Sequence, residues 1–237
     1  MKKNETTETA DTQQLRPAAS GAGSREFPRD IFPSGLKGLI FDCDGVLFDS
    51  KDANTAFYNH IRTQLGLPPM QPEEAAWAHM ASTPEVFLRM AGPERLEEAI
   101  TVGRATSYSD LFMPLMRPMP RMFEFLQAAV RAGLRLALCT NRSDSVQRVL
   151  DHFSLNDFNP VMTVTHVSPK PAPDGLLRIV DIWGADKAHV AYVGDSLVDQ
   201  QAGNAAGIPV IAFRNPGLSA RMHVNEFDEL LPLLGPM

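Results

Sequence analysis

The amino-acid sequence predicts an α/β protein, in which a doubly wound, mostly parallel, Rossmann-like sheet of five or six strands carries an inserted all-helical subdomain. Three observations lead to this prediction. Short apolar runs recur along the chain and are nearly continuous, as in strands that are buried on both faces of a parallel sheet. Helical stretches separate the later runs, which is typical of βαβ units. Residues 43–134 separate the first run from the second, whereas a βαβ unit needs only about 30 residues.

The apolar runs place the strands in order along the chain. They cover Gly38–Asp42, Arg135–Cys139, Val161–Val164, His189–Val193 and Pro209–Phe213. Helices are predicted where apolar residues recur at a spacing of three and four, and Gly133, Gly184 and Gly207 follow three of them as stop signals. These helices are Arg121–Ala132, Ser143–Phe153, Pro173–Trp183 and Val198–Ala206.

The long interval between the first and second strands contains helical pieces and no convincing strand. The pieces are Asn54–Leu65, Pro72–Ala81, Pro84–Met90 and Pro93–Leu111. We therefore predict a core made of residues 36–52 and 116–237, and an inserted helical subdomain made of residues 53–115.

Residues 1–35 differ from the rest of the chain. Polar and small residues dominate, and the segment has no helical or strand periodicity, so it cannot bury enough apolar surface to offset its ordering entropy. Lys2 and Lys3 are not followed by the apolar stretch of a secretory signal. We predict a disordered N-terminal tail.

The composition excludes several classes of protein. A hydrophobic content of 44% is that of an ordinary globular chain, and no apolar run approaches the roughly 18 residues that a membrane span needs. A formal net charge of −6 argues against nucleic-acid binding. The two cysteines, Cys43 and Cys139, are too few for a disulfide scaffold, so we expect buried thiols in a cytoplasmic protein.

Polar side chains follow the predicted strands at the points where the strands end. Because the carboxyl ends of parallel strands meet at one edge of the sheet, we expect these side chains to converge there. A carboxylate at such a position is costly unless it is paired or binds a metal, whereas a hydroxyl, an amide and a lysine can hold a phosphate. The residues are Asp42, Asp44, Thr140, Asn141, Lys170, Asp195 and Asp199.

In this order, the four clusters resemble the motifs of the haloacid dehalogenase-like (HAD) superfamily. The sequence is similar to the subgroup with a helical cap after the first strand, as in phosphoglycolate phosphatases and β-phosphoglucomutases. The resemblance spans about Lys37 to Phe213 and rests on Asp42-Cys43-Asp44-Gly45-Val46, Thr140-Asn141, Lys170, and Gly194-Asp195-Ser196 with Asp199.

The resemblance implies a phosphatase that forms an aspartyl-phosphate. Asp42 would be the nucleophile, and Asp44 would protonate the leaving oxygen and then activate water, a role for which we expect a raised pKa. Thr140, Asn141 and Lys170 would hold the phosphoryl oxygens. Mg²⁺ would be bound by the Asp42 carboxylate, the Asp44 backbone carbonyl and Asp195, with Asp199 bound directly or through water.

The substrate would be a small phosphorylated metabolite, and its identity and the oligomeric state stay open. A phosphomutase of the same fold and a non-catalytic binding protein are the alternatives. Gly194-Asp195-Ser196-Leu197 also spells a serine-esterase signature, but it lies late in the chain, where that class does not place it. Candidate specificity residues in the helical insertion are His79, Ser82, Thr83 and Arg89.

Overall fold

The computed structural model describes residues 31–32, 35–143 and 145–235. The predicted tail therefore lies almost entirely outside the described residues, and its end contributes Phe32, which is buried in the main core. In the described part of the chain, no helix is both long and apolar enough to cross a membrane.

The core of the protein is a six-stranded parallel sheet. Its strands are β1 (Gly38–Phe41), β4 (Arg135–Cys139), β5 (Phe158–Met162), β6 (Val190–Gly194), β7 (Val210–Phe213) and β8 (Met222–Val224), in the spatial order β5-β4-β1-β6-β7-β8. The central strand β1 pairs with β4 and β6, and Ile40 lies beside Ala137 and Tyr192. The fold class predicted from the sequence is confirmed.

A separate two-stranded antiparallel ribbon lies where the helical insertion leaves and rejoins the core. It consists of β2 (Phe48–Asp49) and β3 (Arg117–Pro118). Asp52 and Arg117 form an exposed ion pair next to it, with 3.7 Å between the carboxylate and guanidinium atoms. The two ends of the insertion are therefore held side by side.

Helices cover both faces of the sheet and make up the insertion. Helices α1 (Lys51–Gln64), α2 (Pro72–Met80), α3 (Thr83–Ala91), α4 (Leu96–Ala105) and α5 (Tyr108–Leu111) belong to the insertion. Helices α6 (Met122–Arg131), α7 (Ser145–His152), α8 (Asp174–Trp183) and α9 (Leu197–Ala206) flank the sheet. Short 3-10 segments occur at Pro93–Arg95, Met113–Leu115, Lys187–His189 and Phe227–Leu234.

Three hydrophobic clusters correspond to these layers. Side chains alternate along β1, so Leu39 and Phe41 pack on one face with α6 and α7, and Ile40 packs on the other face with α8 and α9. The third cluster lies within the inserted helices and includes Ile61 and Phe87. The insertion thus has a hydrophobic cluster of its own.

Some predicted boundaries are wrong. The predicted helix Pro93–Leu111 is broken, because Thr106 is extended and the Ser107 hydroxyl caps the new helix α5 by accepting from the Asp110 backbone. The third strand begins earlier than predicted, at Phe158. Strand β8 was not predicted, since it is short and carries the polar His223 at the edge of the sheet.

Candidate active site

The predicted site residues lie together at the carboxyl edge of the sheet. Asp42 follows β1, Thr140 follows β4 and Asp195 follows β6, and the Lys170 loop reaches the same place from the segment between β5 and α8. A cavity of about 890 Å³ lies between this edge and the inserted helices. Its lining includes all the predicted site residues except Asp199, which is fully buried.

Lys170 is at the centre of a buried network that we call the lysine cluster: Asp42, Lys170, Tyr192 and Asp199. Its Nζ lies 2.7 Å from Asp42 Oδ1 and 2.6 Å from Asp199 Oδ1. It also lies 2.9 Å from the hydroxyl oxygen of Tyr192, which itself donates to Asp199 Oδ1. All four residues come from core elements, so the lysine is fixed by the sheet and the segments that flank it.

Asp199 is held by the start of α9 as well as by Lys170. Its Oδ2 accepts from the backbone N–H groups of Asp195 and Ser196, at 3.2 and 3.0 Å, and from the Ser196 hydroxyl. Burial opposes ionisation of Asp199, but Lys170 and these hydrogen bonds outweigh it and lower the pKa. Ser196 is thus a helix cap, which does not fit the nucleophile role of the esterase reading.

Asp42, Asp195 and Asp199 form an acidic triplet, with carboxylate oxygens within 4.8 Å of one another. Burial, opposed by Lys170 and reinforced by neighbouring carboxylates, raises the pKa of Asp42 to about 7. Burial and the charges of Asp199 and Asp42 raise the pKa of Asp195 to about 8. Only oxygen ligands are offered, and their mutual repulsion would be relieved by a cation, so the triplet can hold a divalent metal ion.

Gly45 allows Asp195 to approach the loop after β1. Its φ is +79°, and a Cβ at this position would lie 2.0 Å from Asp195 Oδ2. Glycine is therefore needed both for the backbone conformation and for the space that the carboxylate occupies.

Asp44 has an environment opposite to that of Asp42. Arg142 donates to both of its oxygens, from Nε to Oδ2 at 2.7 Å and from Nη2 to Oδ1 at 2.6 Å. Burial alone would raise the pKa of Asp44, but the charge and hydrogen bonds of Arg142 outweigh burial and hold the pKa well below its usual range. The expectation of a raised pKa is wrong in this arrangement, because it considered neighbouring carboxylates and missed the arginine.

Thr140 and Asn141 both support the loop geometry. The Thr140 hydroxyl accepts from the backbone N–H of Arg142 at 3.1 Å. The Asn141 amide forms two hydrogen bonds with the backbone of Lys170, accepting from its N–H at 2.8 Å and donating to its carbonyl at 3.1 Å. Asn141 therefore positions Lys170, and a direct contact of its side chain with a phosphoryl group stays a prediction.

The four candidates in the insertion separate into two pairs. His79 and Thr83 line the cavity. Ser82 is buried and forms the capping box of α3 with Glu85, and the guanidinium carbon of Arg89 lies 4.2 Å from the centre of the Trp77 ring. Ser82 and Arg89 thus have structural partners within the insertion.

Sequence reasoning missed Tyr192 and Arg142. Tyr192 lies within a strand and reads as an ordinary core residue, whereas Arg142 follows the predicted pair Thr140-Asn141 directly and could have been noticed as a charge at a strand end. The cysteines meet the expectation of buried thiols. Burial raises the pKa of Cys139 to about 12, so neither position suits a thiolate nucleophile.

Comparison with known proteins connects this geometry to a family. Residues 39–213 match the family model of haloacid dehalogenase-like hydrolases. A phosphoglycolate phosphatase of Chromobacterium violaceum is 30% identical over 220 residues, which cover 84% of this chain and 96% of that protein. An N-acetylmuramic acid 6-phosphate phosphatase of Pseudomonas aeruginosa is 28% identical over 197 residues, covering 76% of this chain and 82% of that protein.

A solved structure agrees with these sequence relatives. A HAD-superfamily hydrolase of subfamily IA from Geobacter sulfurreducens superposes with a TM-score of 0.68 at 36% sequence identity, and the match covers 84% of this chain and 97% of that one. The resemblance predicted from the four motifs is confirmed, as is the prediction of an enzyme of the hydrolase class. The chain belongs to the haloacid dehalogenase-like hydrolase family.

Proposed function

We propose that this protein is a Mg²⁺-dependent phosphatase that hydrolyses a small phosphorylated metabolite through an aspartyl-phosphate on Asp42. The observation that carries the proposal is the placement of Asp42 between Lys170, at 2.7 Å, and the other carboxylates of the acidic triplet. A cation on one side and a metal-binding set on the other can neutralise a phosphate that approaches a negatively charged nucleophile. The family match and the named phosphatases among the relatives support this reading.

In the first step, a carboxylate oxygen of Asp42 forms a bond to phosphorus while the bond from phosphorus to the ester oxygen breaks. Asp44, in its protonated form, gives its proton to the leaving oxygen and becomes a carboxylate. In the second step, Asp44 takes a proton from water, the water oxygen bonds to phosphorus, and the bond between phosphorus and Asp42 breaks to release inorganic phosphate. Lys170 and Thr140 hold the phosphoryl oxygens, and Asn141 keeps Lys170 in place.

We assign the metal as Mg²⁺, since an all-oxygen donor set suits a hard cation. Asp42, Asp195 and the backbone carbonyl of Asp44 would hold it, with Asp199 behind them. When bound, the metal stabilises the charge that develops on the phosphoryl group.

The substrate class follows from the size and lining of the cavity. A volume of about 890 Å³ exceeds the need of a two-carbon leaving group, and His79 and Thr83 offer polar contacts from the insertion. The names of the relatives, a phosphoglycolate phosphatase and an N-acetylmuramic acid 6-phosphate phosphatase, suggest a panel of test substrates that covers both phosphorylated small acids and phosphorylated sugars.

We infer that residues 53–115 act as a cap that closes over this cavity. Free, buried cysteines support a cytoplasmic location.

The experiment is a phosphate-release assay on this panel, with Mg²⁺ and with a chelator. We expect turnover only with metal, and its loss by at least about a thousandfold in Asp42→Asn, whose side chain is a poor nucleophile. Asp49→Asn, at an exposed position in β2, is the matched control and should keep full activity. Wild-type-like activity of Asp42→Asn would refute the nucleophile assignment. A requirement for a sugar bisphosphate would favour the phosphomutase alternative.

A further inference from the structure

Arg142 lies in the core loop after β4 and joins the core to the inserted helices. The residue is 8% exposed. Besides its two hydrogen bonds to Asp44, its Nη2 donates to Asn54 Oδ1 at 3.1 Å and to the hydroxyl oxygen of Tyr108 at 3.0 Å. Asn54 belongs to α1 and Tyr108 to α5, so the arginine contacts the insertion near both of its ends.

The hydrogen bonds leave Asp44 with little freedom. Oδ1 accepts from Arg142, from the Ser50 hydroxyl and, at 3.3 Å, from the Asn54 amide, while Oδ2 accepts from Arg142 Nε. The side chains of the ion pair are only 8% and 14% exposed. A carboxyl group that gives a proton to a leaving oxygen must present one of its own oxygens to it, and here both are engaged by donors.

The partners of Arg142 in the insertion are also joined to each other. The Tyr108 hydroxyl donates to Asn54 Oδ1 at 2.7 Å, and the Arg142 guanidinium carbon lies 4.9 Å from the centre of the Tyr108 ring. A displacement of the inserted helices relative to the sheet must therefore break or move these contacts. Because the guanidinium is a rigid planar fork, a displacement that draws its Nη2 toward the insertion also turns its Nε away from Asp44 Oδ2.

We propose that Arg142 is a positioning residue that links the placement of the inserted helices to the release of Asp44. This inference rests on the proposed function, in which Asp44 transfers protons. In the arrangement described here, Arg142 holds Asp44 away from proton transfer. When Asn54 and Tyr108 move with the insertion, Arg142 moves with them, and an oxygen of Asp44 becomes available to the leaving group. Arg142 itself contacts none of the reacting atoms.

Two aryl esters of similar shape test this inference: phenyl phosphate and p-nitrophenyl phosphate. Phenolate is the more basic leaving group, so its release depends more strongly on protonation by Asp44. The parameter is kcat/KM, which includes the steps up to release of the first product. In Arg142→Met the arginine no longer holds Asp44 away from the leaving group, so we expect the ratio of kcat/KM for the nitrophenyl ester over the phenyl ester to fall, by up to about tenfold.

Two further variants separate positioning from folding. Tyr108→Phe removes the hydroxyl that joins Arg142 to the insertion but keeps the pair with Asp44. Asp44 then stays held when the insertion moves, so the ratio should rise, opposite to the change in Arg142→Met. Arg142→Lys keeps the positive charge without the two-pronged geometry, so its ratio of kcat/KM values should lie between those of Arg142→Met and wild type. Arg148→Met removes another arginine of the cavity lining, one that donates to Ser109, and should leave the ratio unchanged.

The outcomes are distinct. A purely structural role would lower kcat/KM for both esters equally in Arg142→Met and Tyr108→Phe. An unchanged ratio in both variants, or a change in the same direction in both, would overturn the inference. If Arg142→Met does not fold, the ratio in Tyr108→Phe decides. Failure of the proposed function looks different, because wild-type protein would then hydrolyse neither ester in a metal-dependent way.

Discussion

The lysine cluster and the pair of Asp44 with Arg142 are two buried charge networks at the same edge of the sheet, and they are built differently. Every member of the lysine cluster comes from a core element. The pair of Asp44 with Arg142 reaches Asn54 and Tyr108 in the inserted helices. The comparison teaches that one network is fixed by the sheet, whereas the other is exposed to any movement of the insertion.

The same comparison explains why Asp42 and Asp44, which are separated by a single residue, have pKa values that are shifted in opposite directions. Asp42 shares one lysine with other carboxylates, and its pKa is raised to about 7. Asp44 has an arginine that donates to both of its oxygens, and its pKa is lowered. The environment of Asp42 suits a metal ligand, since a bound cation would relieve the repulsion among the carboxylates. The charge of Asp44 is already neutralised by Arg142.

The largest effect is expected from breaking the fixed network with Lys170→Met. Asp42 and Asp199 would then be left without their counter-charge, so activity should be lost and the free energy of unfolding should fall by about 3 kcal/mol. Phosphate release and urea denaturation measure the two effects. Lys187→Met, at an exposed position, should change neither. Retention of wild-type stability in Lys170→Met would contradict the central role of the lysine.

A smaller effect is expected in the other network from Asp44→Asn. The amide keeps the shape but leaves the Arg142 charge without its carboxylate, and it cannot serve as an acid or a base. We expect phosphate release to fall by about a hundredfold or more, and the free energy of unfolding to fall by about 2 kcal/mol. Asp49→Asn again serves as the control. Activity near wild type would exclude Asp44 from proton transfer.

Gly45→Ala tests how the fixed network is packed. The new methyl group would meet Asp195 Oδ2 at 2.0 Å in addition to the cost of the positive φ. Gly66→Ala is the matched control, since its φ is +68° and nothing lies within 4 Å of the added atom. We expect the control to lose about 1 kcal/mol of unfolding free energy, and Gly45→Ala to lose more and also to bind Mg²⁺ more weakly. Calorimetry can measure both; equal losses would show that the contact with Asp195 is unimportant.

The smallest effect is a dependence of thermal stability on pH and metal. The pKa of Asp42 is raised to about 7 and that of Asp195 to about 8. In the metal-free protein, the protons on these two groups therefore stabilise the fold at low pH. This contribution is lost as the pH rises through those values. Mg²⁺ binds the ionised form. The increase in melting temperature on adding Mg²⁺ should therefore be larger at pH 8 than at pH 6, by a few degrees. An equal increase at both values would contradict the metal assignment.

The sequence predicted the sheet, and the placement of the seven candidate residues at one edge of it, because local patterns determine both. Continuous apolar runs indicate buried parallel strands, and polar residues directly after such strands must lie at one edge. Arg142 also follows one of these strands, but its pairing with Asp44 was not predictable in this way, since the two residues lie 98 positions apart and a charged loop residue is usually solvated. The break at Thr106 depends on a local cap, and the short strand β8 depends on its pairing with β7.

The ribbon of β2 and β3 has a consequence for the construction of shorter chains. Phe48 pairs with Pro118 and Asp49 with Arg117, so the two points where the insertion joins the core are already adjacent strands of a hairpin. A tight turn is all that is needed to connect such strands. By connectivity, a two-residue turn could therefore replace the insertion without changing the order of the parallel sheet, and a different domain could be grafted at the same point. Ala53, Phe112 and Met113 pack in the main core, so such a chain would have to replace their contacts.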